Sequence, residues 1–196
     1  MAASDTITRW KAEIAEHTNA FTELWNGLTD EQRRWKPAPE VWSVAECIDH
    51  VRATNASYRP NLASAIGAAK ARGSSGEPYR PGRIGRWFLA QLDPDRSKRK
   101  VRAPRTFRPT MHPADPEILA RFLEEQREFE RLLDEAREVD LNRGRLSSPV
   151  TKLLRLSIGE ALESLVLHER RHLRQARAVP AKPGFPAAGN GPLSAS

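Results

Sequence analysis

A chain of 196 residues with 39% hydrophobic content can form one domain around a single core, with little left over for a second. Its one cysteine, Cys47, excludes an intrachain disulfide, no apolar run approaches the ~18 residues of a membrane span, and Met1 to Arg9 lacks a signal core, so a cytoplasmic protein with no membrane partner is expected. The formal charge of +7 sits in one segment, because residues 80–108 hold ten basic groups against only Asp93 and Asp95.

From Ser4 to Gly27 the residues Ile7, Trp10, Ile14, Phe21, Leu24 and Leu28 recur with heptad-like steps, which predicts a first helix that Gly27 stops. His17 takes the remaining slot of that stripe, as a hydrogen-bonded core residue or else as a fourth metal ligand or a group supporting the ligands. Leu28 to Pro37 reads as a short helical turn. Ser43 and Glu46 then form a capping box, with Trp42 placed to pack on Cys47 as a hydrophobic staple, and open a second helix that fades by Gly73. Its inner stripe runs through Val44, Cys47, Val51, Thr54, Tyr58 and Leu62, and His50 lies on the same side. Pro60 removes a backbone donor, so a kink or break is expected near residues 56–60.

Residues 72–112 are rich in Gly, Pro and Arg and form a long basic crossover, with one short helix expected from Ile84 to Leu92 around Trp87 and Phe88. Phe107 is the only aromatic residue within 96–108, so a solvated loop is expected there and nucleic acid is not an expected partner. Asp115 caps a third helix, opened by Pro116 and ending near Val139. Residues 140–156 are an irregular link with a turn at Thr151 to Leu154. Ser157 and Glu160 form a second capping box and start the last helix, which Pro180 stops. Residues 180–196, without periodicity, read as a disordered tail whose removal should leave stability unchanged. With no strand signal competing, residues 1–179 predict an all-α four-helix bundle whose crossover, residues 72–112, lets helices two and three run the same way.

The last helix carries the chemistry. His168 and His172, four residues apart, project from one face about one turn, ~5 to 6 Å, from each other. They share a stripe with Ile158, Ala161, Leu162, Leu165, Ala176 and Val179, which points both imidazoles toward the core. Two buried rings need partners, so either a metal ion or a hydrogen-bonded core pair is implied. The stretch also spells His-Glu-x-x-His, the zincin pattern with Glu169 as general base, but no His, Asp or Glu follows His172, so a third ligand must come from upstream. Glu46 and Glu169 are the candidate catalytic bases or hydrogen-bond acceptors behind the ligands, with capping or surface solvation as the plainer fate of both. Cys47 is either a soft ligand or a small buried hydrophobe.

Taken together, Leu28-Thr29-Asp30-Glu31-Gln32, Trp35-Lys36-Pro37, Trp42-Ser43 with His50 seven residues after the serine, and His168-x3-His172-x2-Gln175 resemble the DinB-like superfamily of four-helix-bundle metalloproteins over residues 4–179. The resemblance implies an up-down-down-up bundle and a divalent metal held by His50, His168 and His172, with zinc or nickel as the suited ions. Three neutral imidazoles leave a position for water or substrate. Relatives include transferases and isomerases that use low-molecular-weight thiols. Arg174 stands where iron-dependent sulfoxide synthases carry a Glu, which counts against an iron oxygenase. The expectation is a metal-dependent enzyme on a small-molecule substrate, a thiol-dependent S-transferase or hydrolase, forming a homodimer; the alternative is a non-catalytic metal-binding, stress-response module that dimerises through the bundle surface.

Overall fold

The computed structural model describes residues 3–73, 78–97, 108–149 and 151–187. Helix α1 (Ala3–Asn26) buries Ile7, Trp10, Ile14 and Phe21 along one side, as their spacing requires. The single turn α2 (Asp30–Arg34) is fixed by a capping box between Thr29 and Gln32. α3 (Val44–Ala71) opens on the Ser43–Glu46 box and runs unbroken through Pro60, so the expected break is absent. A proline costs an exposed helix interior ~3 kcal/mol, but Tyr58, Leu62 and Ile66 on either side of it are buried in the core, and that burial outweighs the lost hydrogen bond.

Helix α4 (Arg83–Leu92) lies in the crossover where the sequence places it, with Phe88 packed on the core and Trp87 exposed. α5 (Ile118–Glu135) begins two residues later than Asp115 suggests, because the Asp115 carboxylate accepts from the Glu117 amide (2.9 Å) in the turn before the helix. A 3-10 turn (Ala136–Glu138) leads to Val139. In place of the turn expected at Thr151 to Leu154 there is an antiparallel hairpin, β1 (Leu146–Ser148) and β2 (Thr151–Leu156). Its buried face holds Leu146, Ser148 and Leu156 with Leu154 partly buried beside them, too few apolar positions to announce a strand. α6 (Ile158–Arg177) starts on the Ser157–Glu160 box.

Cross-helix pairs set the directions. Lys11 meets Asp134 and Phe21 meets Phe122, so α1 and α5 are antiparallel. Asn55 meets Gln126 and Lys70 meets Glu138, so α3 and α5 are parallel. His50 meets His172 while Asn55 meets Glu169, so α3 and α6 are antiparallel. The result is an all-α, up-down-down-up bundle in which α1 and α3 face each other across the diagonal and both pack on α5 and α6. Its core has two apolar clusters, one around Trp10, Leu62, Phe129 and Leu162 and one around Phe21, Ile48, Phe122 and Leu173. Between them lies a buried polar layer of His17, Asn55, Gln126 and Glu169.

The crossover is tied down by α6 and α3. Glu160 uses one oxygen for its cap and the other to accept the Gly82 amide (2.8 Å), and a side chain at Gly85 would collide with it. Arg171 donates to the carbonyls of Gln91 (2.7 Å), Leu92 (3.0 Å) and Ser97 (3.0 Å), closing the other end of α4. Buried Asp49 accepts the amides of Thr110 and Met111 and fixes the return strand of chain. Of the basic residues, Lys98 to Arg105 lie outside the described residues, while Arg96 pairs with Asp93 (3.4 Å).

Residues 180–187, assigned by sequence to the tail, fold back on α2 instead. Phe185 stands edge-on to Trp35 at 5.4 Å and the Gln32 amide donates to the Pro186 carbonyl (2.9 Å); residues 188–196 lie outside the described residues. An aromatic pair of this kind contributes ~1 kcal/mol, or ~2–4 °C of Tm in a domain of this size. Both Phe185→Ala and deletion of residues 181–196 should lower Tm by about that amount in a circular-dichroism melt. An unchanged Tm in both would show that the docked segment contributes nothing.

Candidate metal centre

His168 and His172 stand one turn apart on α6, and His50 faces them from the second turn of α3. The caps determine this meeting: Ser43 fixes where α3 begins and Ser157 where α6 begins, so each histidine has a set height in the bundle. Nε2 of His50 and Nε2 of His168 are 3.0 Å apart, and one ring nitrogen from each of the three histidines lies within 4.8 Å of the others. The ring centroids are 4.4 Å (His50 to His172 and His168 to His172) and 4.8 Å (His50 to His168) apart. Trp42 covers the group, 4.5 Å from His50 and 5.6 Å from His172. Sequence reasoning gave that tryptophan to a staple on Cys47, and only the approach of α6 reveals its contact with the histidines. His50 and His172 are buried and His168 is half-buried, with its Nδ1 away from the surface.

Burial is the main cause that pushes His168 and His172 well below the ordinary histidine value, with the neighbouring imidazole rings and the Arg171 guanidinium adding to it. At neutral pH both rings are therefore uncharged, the form that donates a lone pair to a metal. Two nitrogens bound to one ion at ~2.1 Å lie ~3.0 to 3.4 Å apart for angles of ~90 to 110°, and the Nε2 pair meets that spacing. The buried Nδ1 atoms of His168 and His172 have no hydrogen-bond partner among the described residues; on His168 this is the ring nitrogen opposite the Nε2 that faces His50. Three imidazoles are a donor set suited to a borderline divalent ion, and the His50–His168 pair already stands at ligand spacing.

The remaining candidates go elsewhere. Glu46 caps α3 through the Ser43 amide (2.8 Å) and pairs with Lys36 (2.9 Å). Glu169 is neither capping nor solvated, which corrects the sequence reading: it is fully buried, accepting from Asn55 Nδ2 (2.6 Å) and Gln126 Nε2 (3.1 Å). A helix buried on nearly all sides cannot present Glu169 to water, and the alternation of faces on α6 did not reveal how closely α1, α3 and α5 surround it. His17 stands 3.7 Å from the same carboxylate and outside the three-histidine group, in the polar layer. The Cys47 thiol is fully buried and held protonated by burial first and the Glu46 charge second, so it acts as a small hydrophobe.

The depressed histidines have a consequence for metal-free protein. Unfolding returns both rings to their ordinary value of 6.5. Between the folded values and 6.5 the unfolded chain binds more protons, so stability is full above pH 6.5 and is lost as pH falls from there through the folded values. The urea midpoint of the chelated protein should therefore drop on acidification, and by less when His168 and His172 are both Asn. Equal pH sensitivity in the two proteins would show that burial does not hold these rings neutral.

Comparisons with known proteins agree with this geometry at the level of family. No curated protein and no solved structure matches the chain. The family model described as DinB superfamily matches residues 13–176, which span all four bundle helices and the three histidines, and the chain belongs to the DinB superfamily.

Proposed function

We propose that His50, His168 and His172 hold one divalent metal ion, zinc or nickel, and that the chain is a metal-dependent enzyme acting on a small substrate by thiol-dependent S-transfer or hydrolysis. The observation that carries this reading is the convergence of three imidazoles, two from α6 and one from α3, in a buried group with no carboxylate among them. A bound ion would supply Lewis acidity there, lowering the pKa of a thiol or water. Three uncharged ligands leave the ion its full charge, the condition in which that acidity is greatest. Trp42 stacks against His50 and His172 on one side, and His168 is the least buried of the three ligands. A low-molecular-weight thiol is the co-substrate this arrangement suits, and a cytoplasmic setting accords with the single, buried Cys47.

The engagement of Glu46 in a cap and an ion pair, and of Glu169 in the amide network, supports a second reading. With neither carboxylate available as a base, the site also suits a non-catalytic metal-binding module that dimerises through the bundle surface. Thiol-conjugation and ester-hydrolysis assays on the metal-loaded protein separate the two: turnover that requires metal supports the enzyme, and metal without turnover supports the module.

Equilibrium dialysis against zinc and nickel tests the ligands themselves. His50→Ala, His168→Ala and His172→Ala should each weaken binding by ~10-fold or more, since three ligands are the minimum for a tight site of neutral imidazoles. Glu169→Gln should keep full stoichiometry, because its carboxylate is spent on Asn55 and Gln126. Full stoichiometry in His50→Ala would overturn the three-histidine assignment.

A further inference from the structure

A cavity of about 550 Å³ opens between the C-terminal half of α3 and the β-hairpin, away from the histidines. Its α3 wall runs from Asn61 to Arg72, which at 1.5 Å per residue lies ~16 to 33 Å beyond His50. Asn61, Ser64, Ala65, Ala68 and Arg72 share one helix face, and the small side chains at 64, 65 and 68 leave the space empty. The opposite wall holds Arg145, Ser147 and Arg155. This wall is anchored: Asn61 donates across to the Ser147 carbonyl (3.3 Å), and Gly144, at φ +69°, packs so closely on Ile158 that a Cβ would lie 2.6 Å from it.

Three arginines thus line one cavity, and none of its lining residues is acidic. Arg145 has a distant partner in Glu160 (3.7 Å), whereas Arg72 and Arg155 make no ion pair among the described residues. Like charges gathered around a concave space focus a positive potential into it and favour an anion. Guanidinium forks match phosphate oxygens in pairs, and the Ser64 and Ser147 hydroxyls add neutral donors suited to the same oxygens. The volume falls within the range of small-molecule sites.

We propose that this cavity binds a small phosphate-bearing anion, gripped by Arg72 and Arg155 with Arg145, Ser64 and Ser147 in support. The site is separate from the three histidines and does not depend on their holding a metal.

Isothermal titration of inorganic pyrophosphate into the full chain at ~0.15 M salt tests it. One saturable site per chain is expected, weakened ~10-fold or more by Arg72→Gln and by Arg155→Gln. Ala68→Leu and, independently, Ser64→Leu keep every charge but fill the space; both positions are exposed, so the fold tolerates them. Each should weaken binding comparably. Unchanged affinity in both filling variants would reduce the effect to general surface charge and overturn the site, as would the absence of saturable binding up to millimolar pyrophosphate. Citrate bound as tightly as pyrophosphate would overturn the assignment to phosphate.

Discussion

Three imidazoles share one space where α3 meets α6, and burial there opposes a charge on His168 and His172. Their surroundings supply that burial. An apolar cluster of Val44, Ile48, Val51 and Leu173 lies on one side, and Trp42 lies across the rings. Protonating His168 or His172 would place a cation against its neighbouring imidazoles in a poorly solvated site, which is why both are depressed. The same surroundings bring one ring nitrogen of each histidine within 4.8 Å of the others, the grouping a divalent ion requires.

The neighbouring polar layer gives the bundle its register. Asn55, Gln126 and Glu169 come from three different helices, and Thr18 on a fourth accepts from Gln126 (2.9 Å). A one-turn slip of any helix would leave buried amides and a carboxylate without partners, a cost of several kcal/mol, whereas apolar contacts alone would tolerate it more easily. The histidine group is one turn from this layer, so the network that sets register also sets the height at which His50 meets His168 and His172. The arginines of the same stretch of α6 face outward and hold the crossover: Arg171 binds three carbonyls at the end of α4, and Arg170 and Arg174 pair with Asp95. A single helix therefore carries the site on one side and the anchor of the longest connection on the other.

Much of this was legible in the sequence because it rests on local signals. Two capping boxes, a heptad-like stripe, the Asp115-Pro116 start and a His-x3-His pair are read from spacing alone, and they sufficed for the four long helices and for His168 and His172, whereas His50 entered as the third histidine through the family resemblance. The features that escaped depend on contacts distant in sequence. Pro60 looks like a break until Tyr58, Leu62 and Ile66 are seen buried around it, and Glu169 looks solvated until three other helices are packed about it. Leu146 and Leu156 carry too little alternation to mark a hairpin, and Phe185 has no neighbour in sequence that predicts Trp35. Trp42 shows both limits at once: its position before the Ser43 cap suggested a staple, but its contact with His172 spans most of the chain.

Membership of the DinB superfamily accounts for the fold, whereas function belongs to the site that the fold carries. The central claim is that the three histidines ligate one ion together. X-ray absorption spectroscopy of the zinc-loaded protein in solution tests it most directly, because imidazole rings give a distinctive outer-shell scattering pattern. The account predicts a first shell of nitrogen and oxygen with about three imidazoles and no sulfur. A sulfur shell from Cys47, or scattering that requires fewer than two imidazoles, would contradict it.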